Sequence, residues 1–281
     1  MNITVFSEKY EYIDKESFCE GGFGKIYRIK DKILKTEFIL KKIEIEHSFD
    51  IELNSLLEIK GINIVNIFDR YYDQNKNWYY LILEKMDGNL TMLLDNYKNG
   101  MPSKLIRKIF LQINSGLKIM NDKKIIHRDL KPENILFSYT NDNNTDFIVK
   151  ICDFGLSTYL DSKISQLSEV GTSKFAAPEI KEKKKLNKCD LYSIGKILYV
   201  LKSGDILCEN FDIFLNNLNN NKNENEFDDE KLNNLIKKLI TNNPKERINW
   251  NEYFEDPFFK ENEEDIKGNE ECKIKNYFLL R

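Results

Sequence analysis

With 281 residues, 41% of them hydrophobic and including 18 Phe and 14 Tyr, the chain is large enough for one big domain or two joined lobes around a substantial core. Acidic and basic residues nearly balance at a formal net charge of −3, which argues against a protein whose main task is to neutralise nucleic-acid phosphates. Five cysteines scattered singly without a CxxC pair, beside only two histidines, argue against a disulfide framework or a structural zinc site.

The N-terminus, MNITVFSEKYEY, carries charges and has no apolar core of signal-peptide length, and no 18-residue apolar run follows anywhere. The expectation is a soluble protein without a membrane span, in a reducing, cytoplasmic setting that leaves the nucleus open. Next comes the glycine-dense stretch Phe18-Cys-Glu-Gly-Gly-Phe-Gly-Lys-Ile26. Glycine lets backbone N–H groups approach a phosphate without a Cβ in the way, but such turns also close ordinary hairpins. Lys25–Ile29 and Phe38–Ile43 alternate with the period of two expected of strands. Within the second, Lys41 and Lys42 must point to opposite faces.

From Phe49 to Ile59, Phe49, Leu53, Leu56 and Leu57 fall three or four apart, predicting a helix. Trp78–Leu83 is an apolar run of strand length, and the polar cluster Lys85–Asn89 after it is a candidate hinge. Ile106, Ile109, Phe110, Ile113, Leu117 and Met120 lie along one helical face entered through Pro102 and Ser103. Leu191–Leu201, apolar nearly all round, predicts a buried central helix, and the Asn-rich Asn216–Asn225 predicts a surface loop. Glu261–Arg281 reads as a charged tail, and no internal repeat is visible.

Three motifs carry the chemistry: His127-Arg-Asp-Leu-Lys-Pro-Glu-Asn134, then Asp153-Phe-Gly155, then Ala177-Pro-Glu179. Phosphoryl transfer needs magnesium on hard oxygen ligands and a carboxylate beside the attacking hydroxyl. Asp129 and Asn134, five apart on one tight loop, can face one pocket with different duties. Asp153 follows the strand-like Ile148–Cys152, where a carboxylate can project from the end of a rigid element. Any one of these short motifs is weak alone. Three in this order are not a plausible accident.

With these motifs the chain resembles a eukaryotic protein kinase of the serine/threonine type, from about Ser17 to Phe259. The resemblance implies an α+β, two-lobed fold: a small β-rich lobe over 1–86, a larger helical lobe over 87–260, and the tail over 261–281. It implies ATP and Mg2+ as cofactors and protein substrates as partners. Asp129 would orient the substrate hydroxyl as catalytic base, Lys131 would steady the γ-phosphate, and Asn134 and Asp153 would hold the metal. In the family pattern GxGxxGxV, Gly21, Gly24 and Ile26 fill the last three places and Cys19 stands where the first glycine belongs. Lys41, seventeen residues after Gly24, resembles the lysine that binds the α- and β-phosphates, with Lys35 and Lys42 as rivals. Ile39 occupies the usual place of an alanine above adenine, so it should narrow that pocket.

By the same resemblance Glu52 pairs with Lys41, with Glu46 and Glu58 nearby. Leu83 would be the gatekeeper, backbone groups of Glu84 and Met86 would bond adenine, and Phe18, Ile26 and Leu136 would sandwich the ring. Thr172 would shape the site for a serine or threonine hydroxyl through Lys131 and Asp129. Arg128 would receive a phosphate from Ser168, ahead of Ser162 and Ser165, with Glu169 able to supply some of that charge. Glu179 and Arg247 would form an internal ion pair, and Asp190 would brace the catalytic loop. Two rival readings are a pseudokinase and a small-molecule kinase. All four of Lys41, Asp129, Asn134 and Asp153 are present, which argues against the first. The full Ala-Pro-Glu segment argues against the second.

Overall fold

Period-two patterning in the first third folds into an antiparallel sheet, and the longer apolar periodicities that follow fold into helices. The computed structural model describes residues 3–14, 16–17, 19–21, 24–44, 58–143, 146–159, 174–181, 187–219 and 227–260. A short helix, α1 (Ile3–Lys9), precedes β1 (Tyr10–Tyr12), β2 (Cys19–Gly21), β3 (Gly24–Asp31), β4 (Glu37–Glu44), β5 (Ile67–Asp73) and β6 (Trp78–Glu84). These strands form one six-stranded antiparallel sheet in the order β1-β3-β4-β6-β5, with β2 pairing β3.

The sheet has two apolar faces. On one, Ile29, Phe38, Leu40, Tyr71, Tyr80 and Ile82 form a separate cluster sealed by Phe6 of α1. The Phe6 ring lies 5.2 Å from Tyr80, 5.6 Å from Tyr71 and 5.7 Å from Tyr10. Sequence patterning missed α1, because seven residues are too few to show a helical period. On the other face Ile43 and Leu81 join the main core, which continues through the rest of the molecule.

That second part contains β7 (Gly88–Asn89), α2 (Leu90–Leu94), α3 (Ser103–Asp122), β8 (Ile125–Ile126), β9 (Ile135–Tyr139), β10 (Phe147–Ile151), β11 (Thr158–Tyr159), α4 (Pro178–Lys181), α5 (Cys189–Ser203), α6 (Phe211–Asn219), α7 (Glu230–Leu239) and α8 (Trp250–Phe254). Helix α3 buries the expected stripe, from Leu105 and Ile106 to Met120. Helix α5 is buried nearly all round and ends on Gly204 in the left-handed region, at φ +78°. A Cβ there would come within 2.5 Å of the Lys98 carbonyl, so glycine is the residue that closes this helix.

One expectation changes. The Asn-rich stretch from Asn216 is not loop from its start, because α6 runs to Asn219. Phe211 and Phe214 are buried one turn apart against Tyr199, and this apolar anchor carries the helix into the asparagines. The helix expected from Phe49 lies outside the described residues as far as position 57.

Candidate active site

The sheet supplies one wall. Pairing aligns Ile26 with Lys41, Lys41 with Leu81, and Ile39 with Leu83, so all five side chains share one face. Ile26, Ile39 and Leu83 are half-buried there, as are Met86 just beyond the sheet and Leu136 on β9. Lys42 goes to the opposite face, where its Nζ sits 4.4 Å above the Trp78 ring, and Lys35 is exposed in a turn at φ +59°. The alternation that separates Lys41 from Lys42 is therefore physical. Gly24, opposite Gly21 in the β2–β3 pairing, has φ +121°, and a Cβ would come 2.3 Å from the Lys42 carbonyl oxygen. No other residue fits that close approach.

The other wall is the loop between β8 and β9. Its Pro132–Asn134 stretch makes a single 3-10 turn, entered by proline, that swings Asn134 back over Asp129. Asn134 Nδ2 donates to the Asp129 backbone oxygen at 2.8 Å and to its Oδ2 at 3.0 Å, while Lys131 Nζ reaches the same Oδ2 at 2.7 Å. With its amide nitrogen so engaged, Asn134 keeps its carbonyl oxygen as a hard donor. The Cys152 N–H donates to the Asn134 backbone carbonyl at 3.0 Å, which brings Asp153 beside the loop. The carboxylate of Asp153 takes Lys41 Nζ at 2.8 Å. Burial would raise the Asp153 carboxyl, but the Lys41 ammonium outweighs it and holds the group below the usual carboxylate range.

Two residues here are strained. Arg128 and Asp153 are not glycine yet sit at φ +70° and +63°, conformations that cost on the order of 1–3 kcal/mol each. Their neighbours hold them. Asp190, fully buried on α5, accepts the amide N–H groups of His127 at 2.7 Å and Arg128 at 2.9 Å. Burial pushes the Asp190 carboxyl up from its ordinary value, against the pull of His127, those amides and Arg128. The His127 ring lies 3.0 Å from the Cys152 carbonyl and packs 4.8 Å from buried Phe154, tying the loop to the Asp153-Phe-Gly turn. Arg128 also donates to the Leu156 carbonyl at 3.2 Å. Further out, Arg247 clamps Glu179 through two bonds of 2.6 and 3.0 Å, both side chains fully buried.

A family model described as the protein kinase domain matches residues 12–259. The chain belongs to the protein kinase family.

Similar proteins are named as kinases of the same broad kind. Calcium-dependent protein kinase 4 of Plasmodium berghei is 33% identical over 211 residues, covering 72% of this kinase and 38% of the relative. Serine/threonine-protein kinase TIO of Arabidopsis thaliana is 29% identical over 275 residues, 94% of this chain and 20% of that one. Serine/threonine-protein kinase ATG1c of Arabidopsis thaliana is 29% identical over 266 residues, 89% of this chain and 36% of its own length. The chain thus spans less than two fifths of the length of these relatives.

Within the kinase, Lys41, Asp129, Lys131, Asn134 and Asp153 come together around one space. Phe18, Glu52, Ser168 and Thr172, with Glu46, Ser162, Ser165 and Glu169, lie outside the described residues, as does the tail 261–281. Among the described residues no three His, Cys, Asp or Glu side chains cluster as a self-sufficient metal site, and no helix is long and apolar enough to cross a membrane. One residue of the cleft region escaped the sequence reading. Lys150 is buried on β10, three residues before Asp153, and its ammonium lies 2.8 Å from Glu84 Oε2. The signal was present in Phe147-Ile-Val-Lys-Ile151: one lysine inside an apolar strand needs a carboxylate partner.

Proposed function

We propose that this kinase transfers the γ-phosphoryl group of magnesium-bound ATP to serine or threonine hydroxyls of protein substrates. The observation that carries the reading is the convergence of two charged pairs, Lys41 with Asp153 and Lys131 with Asp129, joined through the Cys152–Asn134 backbone bond. A phosphoryl transfer is catalysed by positioning and charge neutralisation, and this set offers both.

Asp129, nine-tenths buried and oriented by Asn134 and Lys131, accepts the proton-bearing hydroxyl of the substrate and aligns it for attack. Lys131 turns from Asp129 to the γ-phosphate, and Lys41 turns from Asp153 to the α- and β-phosphates. Asp153 and the side-chain Oδ1 of Asn134 would hold magnesium, which neutralises the phosphate oxygens when bound. The donor set fits: one carboxylate and one amide oxygen are too few for an all-protein cage, and magnesium prefers to share such ligands with phosphates and water. The half-buried Ile26, Ile39, Leu83 and Leu136 form an apolar slot for adenine, against which backbone groups of Glu84 and Met86 bond its edge. Glu52 and Phe18 are assigned by resemblance to the Lys41 partner and the loop cover. Thr172 is assigned to the shaping of the acceptor site, and Ser168 to phosphorylation with Arg128 as receiver. The motif context Asp-Leu-Lys-Pro-Glu-Asn and the names of the relatives support the serine/threonine class.

Radiolabelled ATP turned over on a serine/threonine peptide array, beside the Asp129→Asn variant, tests the reading. Expected is transfer by the natural chain and a loss of about 100-fold or more in the variant. A chain that binds nucleotide yet labels no acceptor would overturn it in favour of a pseudokinase.

A further inference from the structure

Lys150 and Glu84 lie outside the phosphoryl-transfer machinery by their side chains, yet they join its two halves. Glu84 ends β6, and its backbone is the adenine-edge group of the reading above. Its carboxylate turns away from the cleft, accepting Lys150 Nζ at 2.8 Å on one oxygen and the Asn66 amide N–H at 2.6 Å on the other. Asn66 Nδ2 adds a bond of 3.3 Å, and the Glu84 N–H returns one to the Asn66 carbonyl at 3.1 Å.

The segment ending at Asn66 is in turn stitched to β10. Val65 N–H donates to the Ile151 carbonyl and Ile151 N–H to the Asn63 carbonyl, both at 2.9 Å, and Asn63 Nδ2 reaches the Val149 carbonyl at 2.8 Å. Ile64 and Ile151 form an isolated parallel bridge. The strand so held runs directly into Cys152 and Asp153. The path from the adenine edge to the metal-binding carboxylate is therefore a closed ring of bonds: Glu84, Asn66, Val65, Ile151 and back through Lys150. A lysine buried to this depth is costly unless paired, and Glu84 is the paired carboxylate.

We propose that Lys150 and Glu84 are a positioning pair for nucleotide binding: their ion pair fixes the distance between the adenine-bonding backbone at 84–86 and Asp153. Both ends of one nucleotide must be gripped at once, so the rigid link lowers the ordering cost of binding. This rests on the kinase reading for what occupies the cleft.

The test combines steady-state kinetics with direct binding of N-methylanthraniloyl-ADP and magnesium, followed by fluorescence. Lys150→Met is expected to raise the KM for ATP and the Kd for the labelled nucleotide about 5–20-fold, with kcat and the peptide KM within twofold of the natural chain. The exchanged pair Lys150→Glu with Glu84→Lys should recover most of the nucleotide affinity that either single reversal loses. A lower melting temperature with unchanged nucleotide Kd would overturn the proposal and leave the pair purely structural. So would equal losses in kcat and peptide KM. A natural chain without turnover would sink the kinase reading alone, because the binding measurement still reports on the pair.

Discussion

Removing Glu179 should expose how the kinase holds the end of its Ala177-Pro-Glu segment. Arg247 is fully buried and spends its guanidinium on Glu179 Oε1 and Oε2 at 2.6 and 3.0 Å, on the Thr241 carbonyl at 3.0 Å and on the Lys188 carbonyl at 2.7 Å. Glu179→Ala leaves that charge buried with only neutral acceptors, at a cost of about 3–5 kcal/mol. Glu179→Gln keeps one acceptor oxygen and should cost about 2 kcal/mol. Arg247→Met strands the carboxylate instead, again at about 3–5 kcal/mol, but adding it to Glu179→Ala should cost about 2–3 kcal/mol less than the sum. Urea unfolding read by Trp250 fluorescence in a Trp78→Phe background is a local assay. The Trp250 indole donates to the Asn187 carbonyl at 3.1 Å, next to Lys188 in the same network. Single losses below about 1 kcal/mol, or additivity within about 0.5 kcal/mol, would refute the claim that this pair is an interdependent buried unit.

Lys41→Met should abolish phosphoryl transfer while Lys42→Met preserves it, measured on the same peptide; equal losses would contradict the face assignment from strand register. Because the Asp153 carboxyl is held below its ordinary value, it contributes stability that is present at neutral pH and lost as pH falls through the folded-state value. The stability deficit of Lys41→Met, about 1–2 kcal/mol at pH 7, should therefore shrink on acidification below the usual carboxylate range, as followed by urea midpoints against pH. Gly24→Ala adds a Cβ 2.3 Å from the Lys42 carbonyl at φ +121°, so it should cost about 1–3 kcal/mol and raise the KM for ATP. Phe6→Ala opens the aromatic cluster under α1 and should cost about 3–5 kcal/mol, seen as faster hydrogen exchange in β1, β3 and β6 than in α5.

Sequence alone determined what kind of chemistry is possible here, because phosphoryl transfer demands particular donors at short, fixed spacings. Asp129 and Asn134 five apart, Asp153 at the end of an apolar strand, and the period of two that separates Lys41 from Lys42 were all readable from the chain. The long helices were readable for the same reason: burial of one face imposes a period, as on α3. Tertiary structure decided what no spacing encodes. The 112-residue gap between Lys41 and Asp153 closes to 2.8 Å only in the folded chain, where β4 of the sheet meets the segment that follows β10. Lys150 finds Glu84, 66 residues away, because the Asn63–Asn66 segment bridges β6 and β10. The strained turns at Arg128 and Asp153 persist because Asp190, His127 and Lys41 over-determine them. Short elements such as α1 stayed hidden, since a helix of seven residues owes its existence to the aromatic face it covers rather than to its own pattern.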